Sequence, residues 1–200
     1  VPPGDYLTGT LELKSKVTLH LEAGATLWGS AERTHYRHEA LIYAEDARDA
    51  ALAGRGAIDG NGPLFWRREG KRWQAGSWRP MHMLAFLRCV NLLIEGVTLR
   101  NTPCWALHPM DCDRVSIHGI SILNGVTEEE RGPNQDGIDP DACTGVRISD
   151  CLIQSGDDSI VLKIMDRPGG RRVCSDVAVT NCVIEIRRAR RTRRAGRRRR

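Results

Sequence analysis

The chain has 200 residues with thirty basic and twenty-five acidic side chains, and its formal charge of +5 is set by one end: residues 187–200 carry ten of the basic residues and no acid. Residues 1–186 are therefore mildly acidic, which removes the case for nucleic-acid binding by the body of the chain, and no apolar run approaches the ~18 residues of a membrane span. Twenty glycines, only two phenylalanines and an apolar content made mainly of Val, Ile, Leu and Ala favour many short strands over long amphipathic helices.

In chain order, KSKVTLHLEAGATLWG (14–29) and EDARDAALAGRGAIDGNG (45–62) alternate as pairs of short strands. Between them His35 and His38 form an H-x-x-H pair in a polar loop, too little for a metal site. GRGAIDG (54–60) has the glycines of a dinucleotide loop but no helix after it, so it reads as a turn.

The pattern sharpens from Cys89. Four segments align on their cysteines: CVNLLIEGVTLRN at 89, CDRVSIHGISILN at 112, CTGVRISDCLIQS at 143 and CSDVAVTNCVIEI at 174. Offsets 3, 5, 8 and 10 are apolar in all four, and the phase slips between offsets 5 and 8. Each segment is thus two strands meeting at a bend. WALHPMDC (105–112) matches DGIDPDAC (136–143) position for position and supplies a third strand. Three strands per repeat, at spacings of 23, 31 and 31 residues, predict an all-β, right-handed parallel β-helix over residues 1–186, a solenoid whose coils pair like strand with like. The earlier segments fit as degenerate coils. Cys89, Cys112, Cys143 and Cys174 then share one position, and Cys151 and Cys182 another. Seven is an odd number and no C-x-x-C occurs, so a buried packing ladder is expected rather than disulfides or a metal site.

Residues one coil apart are neighbours in space. Asp136 and Asp158 are therefore expected nearly above one another, with Asp157 beside them. Aspartate is common in β-helix turns, and these three could be no more than that. Yet three crowded carboxylates gain nothing for folding, and crowding raises the pKa of at least one, as a general acid requires. Two carboxyl functions flanking a glycosidic oxygen are the arrangement for glycoside hydrolysis.

NQDGID (134–139) followed by SGDDSIVLK (155–163) resembles the Asn-Thr-Asp-Gly and Gly-Asp-Asp motifs of glycoside hydrolase family 28, the polygalacturonases and their relatives. NTPCWALHP, GNGPLFW and PPGDYLTGTLELKSKVTLHLEAGATL are similar to that family's bacterial members. The resemblance implies hydrolysis of α-1,4-galacturonosyl bonds in pectin by single displacement, with inversion and without metal or other cofactor. It makes Asp157 the general acid and has Asp136 and Asp158 hold and deprotonate the water. Asn134 would orient a carboxylate or a sugar hydroxyl, and Gln135 stands where the family has Thr. It further implies a polysaccharide partner, no nucleic acid or membrane, a monomer, and an extracellular or periplasmic home.

Around these, Trp105 aligns with Asp136 one coil earlier and suits a sugar-stacking platform or ordinary edge packing equally. Lys163 reads as a solvated lysine or as a partner for a uronate carboxylate. Asp139, Asp141 and Asp150 read as turn or surface residues, and Asn101 and Asn124 as a turn ladder. The family's Gly-His-Gly and Arg-x-Lys segments do not occur, and the chain runs into arginine after Ile186. The solenoid is therefore expected to be incomplete at its C-terminal end, and 187–200 to be an unstructured or out-of-frame tail. A calcium-dependent polysaccharide lyase and an inactive carbohydrate-binding solenoid are the rival readings.

Overall fold

The computed structural model describes residues 1–70, 72–125, 131–170 and 173–186. The expectation placed on the arginine-rich stretch 187–200 lies outside them. Among the described residues, regular structure is all strand apart from two short 3-10 turns, Arg33–His35 and Gly62–Phe65.

The strands form three parallel sheets. The first stacks Gly4–Thr8, Ala25–Gly29, Ala57–Asp59, Thr98–Arg100, Ser121–Leu123, Leu152–Ser155 and Val183–Ile186. The second stacks Thr18–Leu21, Ala51–Gly54, Val90–Glu95, Asp113–His118, Thr144–Ser149 and Ser175–Thr180. The third holds Leu11–Glu12, Ala40–Glu45, His82–Leu87 and Trp105–Met110. This is a right-handed parallel β-helix, each coil visiting the third, second and first sheets in turn. A small antiparallel hairpin pairs Trp66–Glu69 with Arg72–Ala75.

Register follows the cysteine spacing. In the second sheet Val90 pairs with Asp113, Asp113 with Thr144 and Thr144 with Ser175. The bend after it falls at Gly96, Gly119, Asp150 and Asn181, all with positive φ, where glycine and short Asx side chains are the residues that fit. The inward positions Leu92, Ile94, Val115, Ile117, Val146 and Ile148 are at most 1% exposed. Each such burial contributes roughly 1.5–3 kcal/mol. On the last described coil the equivalent Val179 is 44% exposed, and Ile184, in the first-sheet column of Leu99, Ile122 and Ile153, is 49% exposed.

The cysteines form the expected ladder. Cys89, Cys112 and Cys143 are fully buried and all seven thiols are free. The Cys89 amide donates to Cys112 Sγ at 3.3 Å and the Cys112 amide to Cys143 Sγ at 3.4 Å.

The third sheet departs from the pattern in a way that shapes the site. Beyond Met110 its strands shrink to isolated bridges, Leu107 to Ile138, Ile138 to Ile160, Met110 to Asp141 and Asp141 to Lys163. The step from the 136–141 segment to the next is 22 residues, whereas the other two sheets advance by 31. The extra length lies after Lys163, before the strand at Ser175. A second long connection, 124–135, precedes Asp136. Both long connections therefore flank the same bridges.

Candidate active site

The bridge between Ile138 and Ile160 puts Asp136 opposite Asp158 on successive coils. The Gly137 amide donates to the Asp158 carbonyl at 2.9 Å, and the Ile138 amide to the Ser159 carbonyl at 3.0 Å. Glycine is required at 137, because a Cβ there would lie 2.4 Å from the Ser159 carbonyl oxygen. Gly156 nests in the same way: its amide donates to the Gln135 carbonyl, and a Cβ would meet the Gln135 side chain at 2.7 Å. Ser155 Oγ donates to the Asp157 carbonyl and lies 2.7 Å from Ser159 Oγ, which fixes the turn carrying both acids. Gln135, fully buried, accepts from the Gly132 amide and donates to the Thr102 carbonyl, so its place in the motif is structural.

Asp136 is 5% exposed, whereas Asp157 and Asp158 are open to solvent. Burial pushes the Asp136 pKa up, the hydrogen bond and charge of Lys163 pull against it, and the charges of Asp157 and Asp158 add to the rise. Crowding was the expected cause; burial is the larger one. Asp139 goes further, to about 7, again chiefly through burial, opposed by Lys163 and helped by Asp136.

Lys163 corrects the expectation of a solvated lysine. Its side chain is 16% exposed, with Nζ 3.2 Å from both Asp136 Oδ2 and Asp139 Oδ2 and 3.7 Å from the centroid of the Trp105 ring. Its pKa is raised: burial works the other way, but Asp139 and Asp136 outweigh it. Trp105 is half-buried, with His82 and His108 against it at centroid distances of 5.6 and 5.0 Å. Asn134 is exposed at the rim, and its Oδ1 accepts from Arg79 Nη2 at 2.7 Å rather than facing a carboxylate partner. Arg79 also donates to the Pro133 and Pro103 carbonyls, locking the loop before Asp136.

Asp139 and Asp141 are likewise not surface residues; both are fully buried. The outer face of the third sheet is covered, so alternation did not expose them. Burial opposes ionisation of Asp141, yet hydrogen bonds from His108, Arg167 and the Met165 amide hold its pKa well below the carboxylate range. Arg167 also donates to Asp111 Oδ2 at 3.0 Å. The matched octapeptides carried a signal for His108, which sits in the column of Asp139. Arg79, Asp111 and Arg167 are brought in by loops, and no spacing marks them. Asp150 is an exposed turn residue as expected, bonded by Asn181. Among the described residues no group of three or more His, Cys, Asp or Glu is arranged to hold a metal ion.

The family model described as glycosyl hydrolases family 28 matches residues 1–185. The chain belongs to this family. Among curated family 28 relatives, a probable polygalacturonase of Vitis vinifera is 35% identical over 185 residues, covering 82% of this chain and 36% of that protein. A polygalacturonase of Ralstonia solanacearum is 25% identical, covering 82% of this chain and 41% of its own length. The chain thus spans well under half of these relatives. Among solved structures, a hyperthermoactive exopolygalacturonase from Thermotoga maritima superposes with a TM-score of 0.75 at 28% identity, over 93% of this chain and 52% of that one.

Proposed function

We propose that the chain is part of a pectin-degrading glycoside hydrolase that cleaves α-1,4-galacturonosyl bonds with inversion. The observation that carries this reading is the meeting of Asp136, Asp157 and Asp158 on successive coils, with one acid buried and two open to solvent. Asp157 donates its proton to the leaving oxygen as the C1–O bond breaks. Asp136 and Asp158 take a proton from the water that adds to C1 from the opposite side. Burial raises the Asp136 pKa, which strengthens it as a base once it is ionised. Asn134, Lys163 and Trp105 are grouped around these acids, Asn134 and Trp105 as sugar contacts. The reaction needs no metal or other cofactor. The polymer is met outside the cytoplasm, by a monomer.

The test is incubation with polygalacturonate and a chelator, following reducing ends, ultraviolet absorbance and the anomer first released. Hydrolysis gives reducing ends with inverted configuration and no new absorbance. Asp157→Asn is expected to lower kcat by about 100-fold or more. A calcium-dependent, ultraviolet-absorbing product overturns the reading in favour of a lyase. Oligosaccharide binding without any product overturns it in favour of a carbohydrate-binding solenoid.

A further inference from the structure

Lys163 is fixed from both ends. Its amide donates to the Pro140 carbonyl and its carbonyl accepts from the Ala142 amide, each at 2.9 Å. Its ammonium meets Asp136 Oδ2, Asp139 Oδ2 and the face of Trp105. Of three N–H donors, two are taken by carboxylates and the π face covers a further side, so little is left for a sugar carboxylate. The carboxylates, in turn, depend on it. Asp136 Oδ1 and Asp139 Oδ1 are buried with no hydrogen-bond partner among the described residues. A buried carboxylate without a nearby cation takes up a proton instead. Among the described residues, the other charged and titratable groups facing this cluster include Asp157 and Asp158 from the turn, His82 and His108 from the coils below, both held neutral chiefly by burial, and the buried Cys104 thiol, whose pKa burial raises.

We propose that Lys163 is a positioning residue, not a substrate ligand: wedged between Asp136, Asp139 and Trp105, it keeps the Asp136 carboxylate ionised and fixed in place for its role as base. This rests on the hydrolase reading above and gives that reading its charge control. Asp139 is the second carboxyl group on that ammonium and competes with Asp136 for it.

Two measurements on the 200-residue chain decide the matter. In the first, the carboxyl carbon of Asp136 is titrated by nuclear magnetic resonance in the wild type, in Lys163→Met and in Asp139→Asn. Lys163→Met keeps the stem and removes the charge, so the Asp136 midpoint moves up by about one pH unit or more. Asp139→Asn keeps the ammonium and removes the competing carboxylate, so the midpoint moves down. In the second, pH profiles are recorded on galacturonate oligomers. Lys163→Met moves the acid limb of kcat upward and lowers kcat at acid pH by about 100-fold, with KM unchanged. A raised KM with an unmoved acid limb makes Lys163 a substrate ligand and overturns the proposal. So does an Asp136 midpoint that moves in neither variant. If Lys163→Met fails to fold, judged by circular dichroism, the Asp139→Asn titration still decides. If the wild type releases no product, the hydrolase reading fails, while the titration midpoints still report whether Lys163 controls the charge of Asp136.

Discussion

The Lys163 ammonium sits 3.7 Å from the centroid of the Trp105 ring, two coils below it, so one side of that ring is covered by a cation. Trp105→Leu is expected to remove a cation–π contact of about 1 kcal/mol and free the lysine to move. The melting temperature should fall by a few degrees, and kcat should fall more than KM rises. An unchanged melt with a raised KM would mean that the ring's chief partner is a sugar.

Gly137 leaves no room for a side chain against the Ser159 carbonyl. Because that neighbour is backbone, Gly137→Ala must push the two acid-bearing coils apart. We expect a loss of about 1–3 kcal/mol, the range for overpacking, together with loss of activity. Denaturant unfolding checks the first and reducing-end release the second. A variant that melts as the wild type does would show that the coils shift without cost.

The thiol ladder contributes as packing. Heating in dithiothreitol is expected to leave the melting temperature within about one degree of the untreated value. A bridge worth the usual 2–5 kcal/mol would produce a clear drop when reduced. A marked fall on reduction would place a disulfide where the structure has free cysteines.

His82 is held neutral down to about pH 3, chiefly by burial, with His108 and Lys163 adding to the effect. Its pKa is lower in the folded than in the unfolded chain. The stability it protects is therefore fully present above the unfolded value of about 6.5 and is lost as pH falls toward 3. His82→Phe should flatten the pH dependence of stability across that window. Denaturant midpoints at pH 7 and pH 4.5 measure it, and an unchanged slope would remove His82 from the account.

The coil architecture was legible because its signal repeats. Leu92, Val115 and Val146 occupy one column, and four copies of a pattern reinforce each other. The pairing of Asp136 with Asp158 followed from the same arithmetic. What stayed hidden was everything delivered once. Arg79 and Arg167 reach their partners from loops, across 55 residues to Asn134 and 56 to Asp111. Asp139 and Asp141 were misjudged because alternation tells inside from outside, and the outside of the third sheet is itself covered. Lys163 stayed hidden for the same reason: its partners Asp136, Asp139 and Trp105 lie on the two preceding coils, and none of them is near it in sequence.

The unequal steps along the three sheets carry a lesson for engineering. Two sheets advance by 31 residues where the third, from Ile138 to Ile160, advances by 22. The two regular sheets hold the spine, and the chain's extra length falls in segments 124–135 and 164–174, before Asp136 and after Lys163 in sequence. Those segments are natural graft points. Exchanging them between relatives would remodel the surface around the acids while the apolar column beneath keeps its register.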